Sequence, residues 1–121
     1  MIEHRVFHRL SVRLPVRYAI AAGQEQVGGE GGTINLSAGG MLLSVQAMPT
    51  PMVAELLEGR GEIRVAFALA LGEDEIATHC RLVWMQGPKR AGDGFELGLR
   101  FLDLPSATHD RIHAFISQMS H

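Results

Sequence analysis

The sequence predicts an all-β domain closed by one C-terminal helix, and three observations carry that expectation. Apolar and polar residues alternate in several short segments. Turns rich in glycine, proline and acidic residues separate those segments. Helical spacing of apolar residues is clear only beyond Pro105. About six short antiparallel strands followed by one helix suggest a small β-barrel or a tightly coiled sheet, with the helix covering an apolar opening or edge. No strand–helix–strand alternation exists, which argues against a dinucleotide fold of the Rossmann type.

The first strand is marked by Leu10, Val12, Leu14, Val16, Tyr18 and Ile20 on one parity and Ser11, Arg13, Pro15 and Arg17 on the other. Pro15 excludes a helix there but suits an edge strand or a bulge. The stretch AAGQEQVGGEGG (21–32) has five glycines and no apolar period, so a flexible hairpin loop is expected, with at most a short strand around Val27. GGMLLSV (39–45) is a short apolar strand. MPTPMVAELLEGRG (48–61) is an excursion bounded by proline and glycine, with weak helical character. Ile63, Val65, Phe67, Leu69 and Leu71 then share a face, as do Ile76, Thr78, Cys80, Leu82 and Trp84, with Gly72 to Asp74 as the turn of an antiparallel hairpin. A further strand alternates through Phe95, Leu97, Leu99 and Phe101, and Trp84 and Phe95 are expected in the core. In SATHDRIHAFISQM, Ile112, Phe115, Ile116 and Met119 fall at helical spacing, with Ser106 as N-cap and Asp110 near the positive helix end.

At 121 residues, 46% hydrophobic and 20% charged, the chain suits one compact domain and leaves no room for a second. No apolar run has the length of a membrane span, and the arginine-rich start lacks the apolar core of a signal peptide. A cytoplasmic location without membrane insertion is expected. The single cysteine, Cys80, cannot form an internal disulfide and provides no CxxC pair for zinc or thiol exchange. Net charge is −2, yet residues 1–20 carry four arginines against one glutamate. Positive charge so confined points to one anionic ligand rather than a general nucleic-acid coat, and no DNA partner is expected.

The four arginines, Arg5, Arg9, Arg13 and Arg17, stand four residues apart. Arg13 and Arg17 lie on the polar parity of the first strand and are expected to be solvated. Arg5 and Arg9 precede the alternation, where no sheet face is being decorated. In an extended arm they would stand roughly 13 Å apart, within reach of one ligand with several anionic groups. Arginine suits that task because its planar fork binds phosphate bidentately, pairs with guanine and stacks on bases. The other notable stretch is NLSAGG (35–40). Asn35 and Ser37 can fold back on the backbone, and Gly39 and Gly40 allow tight turns, so an ordinary strand connection would look the same. The same groups can also offer hydrogen bonds to a base or phosphate while glycine permits close approach.

Together these stretches resemble the PilZ domain, a bacterial cyclic di-GMP receptor module. RVFHR supplies the RxxxR pair as Arg5 and Arg9, and NLSAGG supplies Asn35, Ser37 and Gly40 of [D/N]xSxxG. HCRLVWMQ and FELGLRFLDLPSATHDRIHAFI are similar to the family's late strands and final helix, with Gly98 at the expected place. The resemblance spans nearly the whole chain. It implies a six-stranded antiparallel barrel over residues 10–103, capped by a helix over 105–119 and preceded by a flexible arginine-bearing arm at 1–9. It further implies that Arg5 and Arg9 clamp phosphates and guanine while Asn35, Ser37 and Gly40 hold the other side. Many members carry a second arginine just before the motif; here that position is His4, which bears on whether one dinucleotide or a stacked pair binds. Arg9 with Arg13 is another possible RxxxR pair, but the alternation beginning at Leu10 favours Arg5 with Arg9.

The function this implies is a cyclic di-GMP receptor that passes binding on to a downstream protein, in motility, biofilm formation or a related output. The alternative is a PilZ-like interaction module that binds no nucleotide and serves pilus or flagellar function. No enzyme is expected: the sequence has no GxSxG elbow and no GxxxxGK[ST] loop. No metal or other cofactor is expected either. His109 and His113 have helical spacing, but HDRIH lacks the glutamate of HExxH and has no evident third ligand. The acidic GEDE (72–75) suits a solvated turn.

Overall fold

The computed structural model describes residues 9–119. Along the chain run β1 (Arg9–Leu10), β2 (Pro15–Ala22), β3 (Glu25–Ser37), β4 (Gly40–Val45), α1 (Thr50–Leu57), β5 (Glu62–Phe67), β6 (Ile76–Gln86), β7 (Phe95–Leu102) and α2 (Ser106–Met119). All strand pairs are antiparallel. Six strands close a ring in the order β3, β2, β5, β6, β7, β4 and back to β3, while β1 adds a short outer pairing at the end of β3. Closure leaves no long unpaired edge, which is how a small all-β domain protects its backbone polar groups.

Alternation explains the barrel interior. Val16 and Ile20, Leu43 and Val45, Ile63, Val65 and Phe67, and Leu97, Leu99 and Phe101 point inward and are buried. The rings of Phe67 and Phe101 stack with centroids 5.9 Å apart. The helices add Met52 and Leu56 from α1 and Ile112 and Ile116 from α2, each pair one helical turn apart and facing the core. Full burial of such a side chain contributes roughly 1.5–3 kcal/mol, enough to hold a short helix with little stability of its own. Phe115 packs at the core margin, whereas Met119 is exposed.

Several expectations need correction. The glycine-rich 21–32 is no flexible loop: after a tight turn at Gly23, whose φ is 63°, β3 pairs with β2 continuously from Glu25 to Gly32. Glycine serves close packing there, since a Cβ on Gly31 would run into the Ser44 carbonyl. The single strand expected from Leu10 to Ile20 is divided. Residues 11–14 leave the sheet, held by the buried Thr33, whose hydroxyl accepts from the Leu14 N–H at 2.7 Å and donates to the Val12 carbonyl. The Thr33 N–H also donates to the Leu14 carbonyl, at 3.0 Å. The excursion at 48–61 contains a true helix, α1, with proline in its first turn. β5 stops at Phe67, so the connection to β6 spans residues 68–75; Leu69 is buried there, but Leu71 is fully exposed instead of lining a strand. Phe95 lies half-buried at the core margin rather than within it.

Candidate functional site

On one flank of the barrel β3, β4, β7 and β6 lie side by side, and their register brings outward positions into rows. Asn35 stands opposite Leu42, Leu42 opposite Gly98, and Gly98 opposite Trp84. In the neighbouring row Arg9 stands opposite Ser37, Gly40 opposite Arg100, and Arg100 opposite Arg81. Between these rows Leu36, Met41 and Leu99 point inward and are buried.

Two bulges create the first row. Thr33 pairs with Leu43 but Asn35 with Leu42, so Ile34 is an extra residue. Thr33 and Leu36 therefore both face the core, and Asn35, which shares the parity of Thr33, turns outward. On β6, Leu82 pairs with Leu99 and Trp84 with Gly98, leaving Val83 extra. Trp84 thus departs from the interior parity of Cys80 and Leu82. Its expected place in the core is corrected: it is 44% exposed and lies across Gly98. The fit is close, because a Cβ on Gly98 would stand 2.6 Å from Trp84 Nε1.

The hairpin joining β3 to β4 is shaped by Ser37. Its hydroxyl accepts from the Gly40 N–H at 3.1 Å and the Gly39 N–H at 3.3 Å, and donates to the Gly40 carbonyl at 3.2 Å. This is a serine turn, in which a short hydroxyl replaces a backbone partner. A Cβ on Gly40 would collide with the Leu99 carbonyl, so glycine is required by the close approach of β7.

These parts surround a groove of about 380 Å³, with Arg9 and Asn35 on one side, Trp84 and Arg100 on the other, and Gly39, Gly40 and Gly98 between them. The Asn35 side chain has no hydrogen bond, and Arg9 and Arg100 no ion pair, among the described residues. Such a groove offers cationic forks, an amide and an indole face, a combination suited to phosphates attached to flat bases.

Arg9, Asn35, Ser37 and Gly40, all singled out by sequence, come together here. Arg5 and His4 lie outside the described residues, as does the expected arm apart from Arg9, the first residue of β1. Arg13 is exposed beside Gly32. Arg17 forms an exposed ion pair with Glu75, whose hydrogen bond and charge raise the guanidinium pKa. Sequence reasoning missed Trp84 and Arg100 as groove residues. Arg100 had the signal of an outward strand position, but Trp84 is masked by a bulge of one apolar residue.

A second groove of about 330 Å³ runs along β2, β5 and β6, where Ala19, Ala66 and Ala77 stand beside Arg64, Thr78 and His79 and where Glu75 engages Arg17. Among the described residues no cluster of three His, Cys, Asp or Glu side chains could hold a metal ion. Burial pushes the Cys80 thiol up to about 12, so it is not a ready nucleophile.

A family model described as "PilZ domain" matches residues 3–118. A comparison with curated proteins gives no match. Among solved structures, the chain is similar to the Bacillus subtilis inhibitor of motility MotI/DgrA, with TM-score 0.70 and 15% identity over 98% of this chain and 52% of that one. It is also similar to the PilZ domain of Escherichia coli YcgR, solved with c-di-GMP, with TM-score 0.68 and 16% identity over 98% of this chain and 92% of that domain. The PilZ domain of CeSA from a cellulose-synthesizing bacterium gives TM-score 0.54 and 19% identity, covering 94% of this chain and 99% of the other. This chain thus spans about half the length of MotI/DgrA and nearly all of the isolated YcgR and CeSA domains. At these identities the likeness shows a shared fold: a closed six-stranded barrel with a C-terminal helix.

Proposed function

Since this chain belongs to the PilZ domain family, we propose that it is a cyclic di-GMP receptor whose ligand lies in the groove between Arg9 and Trp84. The observation that supports this most is the convergence of Arg9, from one stretch of sequence, with Asn35 and Gly40, from another, on one groove without internal charge compensation among the described residues. The YcgR domain with the same fold was solved with that ligand.

In this assignment Arg9, together with Arg5 and His4 just upstream, binds phosphate and guanine edges. Asn35 offers its amide to a base. Ser37 acts mainly by holding the turn that presents Gly39 and Gly40, its hydroxyl being engaged there three times. Trp84, seated on Gly98, provides a face for guanine to stack on. The ligand leaves unchanged, and the output passes to a downstream protein in the cytoplasm without membrane insertion. No helix among the described residues is long and apolar enough to cross a membrane. Arg9 begins β1 opposite Ser37, so a ligand held by Arg9 also ties that strand to the turn and changes the surface a partner meets.

Calorimetric titration with cyclic di-GMP, GTP and cyclic GMP tests the assignment. Binding of the cyclic dinucleotide far above the other two is expected, because it alone carries two phosphates and two guanines. Equal affinity for all three, or none for any, refutes it; the latter outcome favours an interaction module that binds no nucleotide. Recovery of intact ligand after prolonged incubation checks the absence of turnover.

A further inference from the structure

The family motif accounts for the wall of the groove formed by β1, β3 and the β3–β4 turn. At the opposite wall Arg100 lines the groove, a charge that the motif does not explain, and its neighbour Arg81 stands just outside the lining. Arg100 on β7 and Arg81 on β6 are direct cross-strand partners, and both are exposed. Like charges so placed destabilise a sheet. Neither arginine has an ion pair among the described residues. The surroundings do not relieve the pair: Glu62 on the next strand forms no ion pair among the described residues. On the other side of Arg100 stands Gly40, which has no side chain to fill the space towards Arg9.

From this juxtaposition we propose that Arg100, which faces Arg9 across the groove, and Arg81 beside it at the groove's margin form a second phosphodiester-binding wall. Adjacent strands are about 4.8 Å apart, so two long guanidinium side chains rooted on them can fork onto one phosphate. The anion turns their mutual repulsion into shared attraction. The identity of the ligand rests on the receptor assignment above, but the anion chemistry does not. The phosphodiester is either the second phosphate of the dinucleotide already gripped by Arg9 or belongs to a second dinucleotide stacked on the first.

The test uses the full chain and two probes. Inorganic pyrophosphate, at constant ionic strength, is titrated while the arginine Nε–Hε resonances are followed by NMR. Arg100 and Arg81 should shift, whereas Arg17, tied to Glu75, should not; stationary Arg100 and Arg81 signals overturn the proposal. Cyclic di-GMP is then titrated by calorimetry into wild type, Arg81→Gln and Arg100→Gln. A loss of affinity of about tenfold or more at unchanged stoichiometry places the contact on the first dinucleotide. A fall in stoichiometry from a pair per chain to a single one places it on the second. Unchanged affinity and stoichiometry in both variants overturn the proposal. Their unfolding midpoints should equal or exceed that of wild type, because one repulsion is removed; lowered midpoints accompanying the binding loss also overturn it. If wild type ignores the dinucleotide while pyrophosphate moves both arginines, the receptor assignment fails and the anion wall stands.

Discussion

Replacing Gly98 by alanine should unseat Trp84 and weaken ligand binding while leaving the barrel folded. The added methyl would stand 2.6, 2.8 and 3.0 Å from Nε1, Cδ1 and Cε2 of the indole. Ordinary contact between such atoms is about 3.5–4.0 Å, so the ring must lift by roughly 1 Å. It has room to do so, being 44% exposed. The stability cost should therefore fall at the low end of overpacking, about 1 kcal/mol. A base stacked on an aromatic side chain gains about 1–3 kcal/mol, so losing that geometry lowers affinity by about 5- to 150-fold. Trp84 is the only tryptophan in the chain, so intrinsic fluorescence reports on it alone. Emission of the free variant should shift to longer wavelength as the ring gains solvent, and the change on adding cyclic di-GMP should diminish. An unaltered spectrum together with unaltered affinity would refute the seating of Trp84 on Gly98 and its role as a platform.

Arg9→Ala should lower affinity by one to two orders of magnitude, from the loss of charge-assisted hydrogen bonds worth about 1.5–3 kcal/mol, with little change in melting temperature. Arg17→Ala, which removes only an exposed ion pair, should alter neither quantity; loss of binding in this variant alone would put the ligand elsewhere. Ser37→Ala should destabilise the domain by about 1–2 kcal/mol in urea titrations, because it leaves the Gly39 and Gly40 N–H groups without their acceptor; unchanged stability would show that the hydroxyl does not hold the turn. The thiol of Cys80 is pushed up from 9.0 to about 12, so above pH 9 the unfolded chain releases a proton that the folded one keeps. Stability then falls as pH rises from about 9 towards 12, by up to about 1.4 kcal/mol per unit. Cys80→Ala lacks this component, and the advantage of wild type over the variant should narrow across that window; a constant difference would show that the thiol titrates alike in both states.

What could be learned from sequence depended on whether strand geometry followed residue identity. It did for Ile63, Val65 and Phe67 and for Leu97, Leu99 and Phe101, where period-two burial matches the pattern of side chains. It did for Ile112 and Ile116, whose spacing has no other use. It failed where one residue was added to a strand. Val83 is as β-prone as its neighbours, and nothing in LVWM shows that Leu82 and Trp84 face opposite ways. Ile34 conceals the turn of Asn35 in the same manner, although the motif drew attention to Asn35 on other grounds. Glycines misled for the opposite reason. In 28–32 they fit a strand crowded by Tyr18 and Ser44, and only the three-dimensional neighbours distinguish that from a loop. The Arg81–Arg100 pair escaped notice because its partners come from two separate strands, each with an unremarkable polar residue.

Barrel closure has a kinetic consequence. The hairpins β2–β3, β3–β4, β5–β6 and β6–β7 join neighbours in the chain and can form early, whereas β4 meets β7 through residues 50 to 60 positions apart and β2 meets β5 through residues 41 to 49 apart. Loop-closure entropy must be overcome before those two seams gain their contacts, so they are expected to close late and part early. The groove lies across one of them, with Gly40 and Leu42 on β4 and Gly98 and Arg100 on β7. An occupant touching both strands fastens the seam after it has formed. Its main effect on the barrel should be to slow opening rather than to speed assembly, lengthening the lifetime of the folded state for as long as the groove is filled.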